Sequence, residues 1–362
     1  MLSSCCGTIK FRLSRRVFLI LIIRLQASGV NRDRRLAEAK GERGLNIEVI
    51  GGGSLGLLFA AGAAAGGASV ALYTRKEEQA LRIAREGIEV RSAEDRPPLR
   101  IPAGAIAALS IERHAERTKT GEDTWVVLAL KQKDLNEELI DRLKADLGAK
   151  DRLFCLQNGV GHIERLRRAL PNHDIYAAIT TEGARRSDAN SVLRAGQGAT
   201  LFGLPGTASV FSPQKEAAEK KLIDLFAAAG LTLSASNEIE TVMYRKLMIN
   251  AVINPLTAIW KIENGALLAS RHRIETMRGI FEEIGHVYAL AGISFEAGWW
   301  EDLIGVCRAT SRNRSSMLED VTHGRSTEAR WICGGIVDLA RGFKAEAPLN
   351  RMLLELIEGM KE

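Results

Sequence analysis

Residues 47–67 set the tightest limit on what this chain can fold into. A short apolar strand, residues 47–50, runs straight into Gly51-Gly52-Gly53-Ser54-Leu55-Gly56, and the small-residue segment LLFAAGAAAGG comes next with helical character. Strand, GxGxxG and helix in that order open a dinucleotide-binding βαβ unit. Gly51 makes the tight turn, Gly53 lets a pyrophosphate approach the backbone, and Gly56 lets helix and strand pack closely. The helix start offers unpaired N–H groups and a partial positive charge to phosphates.

The next strand, residues 69–73, ends in Thr74-Arg75-Lys76, about 20 residues past the glycine loop, where an acidic residue would bind a ribose 2′-hydroxyl. Here the position is cationic. A guanidinium grips a 2′-phosphate bidentately and has no such pairing with a bare hydroxyl, so Arg75 points to NADP(H). The bland alternative is that Arg75 and Lys76 open a solvated helix. Residues 88–113 read as a small strand-rich excursion with a Pro-Pro turn. The apolar run 123–130 reads as a strand covered on both faces, with Lys131-Gln132-Lys133-Asp134 at its carboxyl end. Residues 152–156 form another strand, ending in Gln157-Asn158-Gly159-Val160-Gly161. Open α/β sheets bind ligands at that edge, which makes Lys131 and Asn158 candidate cofactor contacts. A further strand is expected at 175–181. Gly183-Ala184-Arg185-Arg186 and AGQGATLFGLPG suggest a hairpin closing the sheet, before a helix at 215–229 and a last strand at 231–234.

Beyond Glu238 nothing reads as a strand, and helical periodicity recurs near 272–291, 296–311, 325–342 and 348–360. The fold class expected is an α/β N-terminal Rossmann-type domain, mostly parallel sheet, at 45–236, followed by an all-α C-terminal domain at 237–362. The second domain opens with YRKLMINAVINPLTAIWKIEN, residues 244–264. Lys246, Asn250 and Asn254 lie at i, i+4 and i+8, one stripe of a helix. Pro255 is expected to break the pattern and to push Asn254 out of the helical region. A buried lysine is costly unless it is paired or wanted for chemistry. A core helix with a wet polar stripe is the plain reading; an acid with two amides aimed at a substrate is the other. Residues 315–328 (SSMLEDVTHGRSTE) read largely as a connector, with Thr322 as a cap for the next helix.

Charge and cysteines exclude other classes. The formal charge of the 362-residue chain is +6, but residues 1–44 carry ten Lys/Arg against three Asp/Glu, a net +7, leaving a body near −1. A near-neutral body poor in aromatics is not built for nucleic acid. Residues 17–23 (VFLILII) are far too short to span a bilayer, so the basic extension is set aside from the fold. Of five cysteines, Cys5 and Cys6 lie in the basic start and Cys155, Cys307 and Cys333 are scattered, with no CxxC; this argues for reduced thiols in a cytoplasmic protein with no structural metal.

GGGSLG with Arg75, LKQKD, LQNGVG, the RKL…N…INPLTAIW…NG segment and SSMLEDVTHGRSTE occur in the order found in ketopantoate reductases (2-dehydropantoate 2-reductases), and the chain resembles that family from about Asn46 onward. The resemblance implies NADPH-dependent reduction of ketopantoate to (R)-pantoate in pantothenate and coenzyme A synthesis, with the active site between a Rossmann domain and a helical domain. It implies Gly51, Gly52, Gly53, Ser54, Leu55 and Gly56 as the phosphate loop and Arg75 as the 2′-phosphate contact. Lys131, Asn158 and Ala184 are further cofactor contacts by the same likeness. Lys246 is similar to the family's proton donor; Asn250, Asn254, Asn264 and Ser316 resemble substrate ligands, and Glu328 lies near both cofactor and substrate. The departures are the basic extension and Arg194, where relatives often carry His. The expected partner is ketopantoate, with a homodimer left open; the chemical rival is another NADP-dependent 2-oxo acid or β-hydroxyacid dehydrogenase.

Overall fold

Successive side chains of a strand point to opposite faces, so an unbroken apolar run builds a sheet covered on both sides. In β6 (Thr124–Leu128) every residue is buried. Trp125 and Val127 face one core and Val126 and Leu128 the other. The computed structural model of the chain describes residues 44–93, 96–116, 123–206 and 212–360. The expectation for residues 1–44 therefore lies outside the described residues, Gly44 excepted. Residues 44–362 form one compact unit.

Strands β1 (Asn46–Ile50), β2 (Ser69–Thr74), β5 (Ala107–Ser110), β6, β7 (Arg152–Cys155) and β8 (Asp174–Thr180) run parallel to one another. Strand β11 (Ala199–Gly203) runs antiparallel to β8, and β12 (Thr232–Ala235) closes the edge. The main sheet has the order β12-β11-β8-β7-β6-β1-β2-β5. Its parallel part reads 3-2-1-4-5-6, the doubly wound order that leaves a crevice where the strand order reverses. Helices α1 (Ser54–Ala65) and α5 (Pro213–Ala228) cover one face; α3 (Glu137–Asp146) and α4 (His162–Ala169) cover the other. Helix α2 (Glu77–Glu86) comes after β2.

The expected closing of the sheet is divided: within AGQGATLFGLPG, Ala199–Gly203 joins the main sheet as β11, but the hairpin before it does not. Strands β9 (Gly183–Asp188) and β10 (Ser191–Gly196) join β3 (Ile88–Ser92) and β4 (Leu99–Ile101) in a separate sheet, β4-β3-β10-β9. The 88–113 excursion is likewise divided, with β3 and β4 in the small sheet and β5 in the large one. Sequence spacing shows that a hairpin is present; only long-range pairing decides which edge it joins.

After Ala235 every described element is helical: α6 (Ile239–Trp260), α7 (Arg271–Leu290), α8 (Trp299–Ala309), α9 (Ser316–Thr322), α10 (Ala329–Gly342) and α11 (Pro348–Gly359). Pro255 does not break α6, and Asn254 stays helical within it. The proline forgoes one backbone hydrogen bond, a cost of about 3 kcal/mol in a free helix. Burial of Val252, Ile253, Leu256 and Ala258 in the helical core offsets it. Residues 316–322 are a helix rather than a connector. The Ser315 Oγ caps it by accepting from the Leu318 N–H, and Thr322 ends it, its hydroxyl donating to the Leu318 carbonyl. Among the described residues no helix is long and apolar enough to cross a membrane.

Helix α6 links the two halves. Its first turns, through Ile239 and Met243, pack in the core beneath the sheet; from Leu247 onward it packs in the helical core. Lys246 is the residue at the handover.

Candidate active site between sheet and helices

The glycine loop is shaped by contacts that exclude a side chain in two places and leave room in a third. Gly51 has φ +117°, and a Cβ there would stand 2.8 Å from the Ala129 carbonyl oxygen. A Cβ on Gly56 would lie 1.7 Å from the Gly51 oxygen, so helix and loop can close only on glycine. At Gly53, by contrast, a Cβ would meet nothing nearer than the Ala129 oxygen at 3.8 Å. Crowding behind the loop and open space at Gly53 fit a bound pyrophosphate, received by the N–H groups that start α1. Strand β9 fastens the loop. The Arg186 N–H donates to Ser54 Oγ at 2.9 Å, and the Arg186 guanidinium to the Gly52 carbonyl at 3.2 Å. The Gln79 amide reaches the same carbonyl at 2.8 Å. Ala184 lies on this strand, half-buried. Arg75 projects at the end of β2 with 76% of its side chain exposed, and its guanidinium stands 3.8 Å from Asp134. An exposed pair at that distance contributes little, so Arg75 can turn to a phosphate at small cost.

At the carboxyl edge of the sheet, three expected residues are brought together. Asn158 comes after β7 in a turn that needs positive φ at Gly159 (+85°) and Gly161 (+94°). A Cβ on Gly159 would strike the Trp331 carbonyl oxygen at 2.4 Å, so this turn lies hard against α10. The Asn158 amide donates to the Glu328 carboxylate at 2.9 Å, and its main-chain carbonyl accepts from Gln132 at 2.6 Å. Lys131 crosses from the end of β6 to Asp320 of α9 (2.6 Å) and to the Ser326 carbonyl (2.6 Å). Burial raises the Glu328 carboxyl above the usual range; the Asn158 hydrogen bond and the Lys131 charge oppose this, while Asp320 adds to it.

Lys246 completes the group. Its ammonium donates to the Thr180 carbonyl at 3.1 Å, where β8 ends. Burial lowers its pKa to about 8, and the nearby Glu328 carboxylate partly opposes the shift. An amine that titrates near neutral pH beside an acceptor-rich edge can hand over a proton and take one back.

The substrate-side residues are more dispersed. Asn250 and Asn254 continue the Lys246 stripe, half-buried and buried respectively. Asn264 is buried in the 3₁₀ turn Asn264–Ala269 and donates to the Thr310 hydroxyl at 2.9 Å; its side-chain oxygen has no partner among the described residues. Ser316 is exposed in the first turn of α9. Its neighbour Ser315 makes the structural contacts, accepting from the Thr257 hydroxyl at 2.7 Å and so pinning α9 to α6. Sequence reasoning does not single out Asp320 as the anchor of Lys131, nor Thr180 as the acceptor for Lys246. Asp320 stands within SSMLEDVTHGRSTE, where its carboxylate is one of several. A main-chain acceptor has no side-chain signature and cannot be found from residue types.

Comparison with known proteins identifies the family. Residues 47–206 match the family described as "Ketopantoate reductase PanE/ApbA", and residues 238–361 match its C-terminal family. A 2-dehydropantoate 2-reductase of Bacillus subtilis is 32% identical over 294 residues, covering 80% of this chain and 89% of the relative. One from Listeria innocua is 29% identical over 320 residues, covering 88% and 98%. The crystal structure of a PanE/ApbA family ketopantoate reductase from Ralstonia eutropha shares the fold with TM-score 0.74 at 22% identity, covering 88% of this chain and 98% of that one. D-mandelate dehydrogenase with NADH and anilino(oxo)acetate also shares the fold, with TM-score 0.73 at 22% identity over 88% of this chain and 98% of its own. With both parts of the chain matched, and a relative above 30% identity aligned along most of its length, the protein belongs to the ketopantoate reductase family.

Proposed function

We propose that the protein reduces 2-dehydropantoate (ketopantoate) to (R)-pantoate with NADPH, with Lys246 as the proton donor, in the cytoplasmic synthesis of pantothenate and coenzyme A. The observation that carries the reading is the placement of Lys246. A lysine with a pKa of about 8 is fixed at the carboxyl edge of a parallel sheet, near Glu328. Residues 45–236 form the cofactor domain in this reading and 237–362 the substrate domain.

Reduced nicotinamide, when bound, supplies the hydride for C2 of the keto acid. The chain does the rest. As C2 is reduced, negative charge builds on the carbonyl oxygen; the Lys246 ammonium stabilises it and delivers the proton. Ser316 and the amides of Asn250, Asn254 and Asn264 hold the carboxylate and hydroxyl without adding full charges that would be costly to desolvate. Glu328, oriented by Asn158, accepts a hydrogen bond from a substrate hydroxyl or balances the Lys246 charge before substrate arrives. Arg75 takes the 2′-phosphate.

NADPH oxidation measured by absorbance, with ketopantoate and a panel of 2-oxo acids, tests the reading on a chain beginning at Asn46. Ketopantoate is expected to give the highest kcat/KM. A preference for an aryl 2-oxo acid would move the assignment to another 2-oxo acid dehydrogenase.

A further inference from the structure

The residues that hold Lys246 in place are not on its own helix. Its ammonium rests on one main-chain carbonyl, that of Thr180, so whatever fixes that peptide fixes the ammonium. The Thr180 carbonyl and the Thr181 N–H belong to one planar unit. The Thr181 N–H donates to the Ala199 carbonyl at the start of β11 at 2.9 Å, which aims the Thr180 carbonyl to the opposite side, toward β7. There β7 has already ended: its pairing with β8 stops at Cys155 and Ala177. The carbonyl therefore meets the ammonium instead of a ladder partner.

Two residues on, Glu182 is buried with 1% of its side chain exposed. Its N–H donates to Thr180 Oγ1 at 3.1 Å, and the Thr200 hydroxyl lies 2.9 Å from the same oxygen. Arg194 of β10 grips the carboxylate with both prongs, at 2.8 and 2.5 Å, and donates to the Gly230 carbonyl at 3.0 Å. A buried ion pair is weak evidence of stability, because desolvation consumes most of its attraction. What it secures is geometry, and this one ties two segments, β10 and the turn at Gly230, to the turn that carries the Lys246 acceptor.

We propose that Glu182 and Arg194 are positioning residues for the reaction: their forked ion pair holds in register the turn whose Thr181–Ala199 hydrogen bond aims the Thr180 carbonyl and, through it, the Lys246 ammonium. The proposal rests on the reading of Lys246 as the proton donor. Weakening the pair lets the peptide turn, and the ammonium loses its acceptor. The charged form of the lysine is then less favoured, so the alkaline limb of kcat moves to lower pH.

The test is a double-mutant cycle of Glu182→Gln with Lys246→Ala. Glu182→Gln alone is expected to lower kcat about tenfold, the scale of a sub-ångström misplacement, with the KM for ketopantoate nearly unchanged. In the Lys246→Ala background the same substitution is expected to change kcat by less than about twofold, because residues acting as a unit are not additive. A tenfold loss in both backgrounds, or wild-type kcat and pH profile for Glu182→Gln, would overturn the proposal. Arg194→Lys keeps the charge but loses the fork; it enters the same cycle should Glu182→Gln not fold. Lys246→Ala with wild-type activity would overturn the proton-donor reading itself, a separate outcome from the additivity result.

Discussion

In the proposed reading, the two walls of this site recognise their ligands in different ways. The sheet wall works through its backbone: glycines whose missing side chains let one chain segment touch another, and N–H groups at the start of α1. The helical wall works through side chains on α6, α9 and the turn before α10, whose aim is set by packing. Backbone recognition needs few residue types at fixed spacing and tolerates change around them. Side-chain recognition needs each element placed correctly, and α6 meets that need by being anchored in both cores. The contrast teaches that substitutions on the two walls will fail differently: on the sheet wall through structure and cofactor affinity, on the helical wall through turnover.

The sharpest break of this contrast is Lys246→Ala. It is expected to lower kcat by about 10²–10⁴-fold, roughly 3–5 kcal/mol of barrier, with the fold retained. Steady-state rates within threefold of wild type would remove the residue from the acid's role. A pH profile of the unaltered enzyme sharpens the same point. Reduction uses the protonated amine, so kcat for reduction is expected to fall as pH rises through about 8, while pantoate oxidation, which needs the neutral amine, rises over the same window.

On the opposite wall, Gly56→Ala places a Cβ 1.7 Å from the Gly51 carbonyl oxygen, and only backbone movement can relieve it. The expected loss is about 1–3 kcal/mol of stability, as for an overpacked core, together with weaker cofactor binding. Thermal melting and a fluorescence titration with NADPH measure both, and a variant unchanged in each would mean that the loop is not held as described. The smallest effect belongs to Arg75→Ala. The guanidinium is exposed, and its loss is expected to weaken NADPH by about tenfold, near the worth of one charge-assisted contact, while leaving NADH little changed. Equal losses for both cofactors would reject Arg75 as the 2′-phosphate contact.

Much of the sheet wall is legible in the sequence because its signals are local. Gly51 with positive φ, the cation at Arg75 and the polar ends of β6 and β7 all sit within a few residues of the strand that positions them. The helical wall is legible in part. The stripe of Lys246, Asn250 and Asn254 comes from helical spacing, but Pro255 misleads: local propensity says stop, and burial in the core overrides it. Residues 316–322 read as a connector because seven residues with polar flanks carry too little periodicity to show against a loop, although the Ser315 cap is in plain sight.

The sequence by itself determined a nucleotide-binding βαβ start, a helical second half, and a single lysine worth suspecting, because each depends on neighbours within one or two turns of chain. Only the tertiary structure decided that β9 and β10 leave the main sheet to strap the glycine loop, that Lys131 is anchored by Asp320, and that Lys246 rests on a carbonyl 66 residues away. Those contacts join distant segments, and one end of each is a main-chain atom or a carboxylate no different in kind from its neighbours, so the order of side chains does not single out the partner.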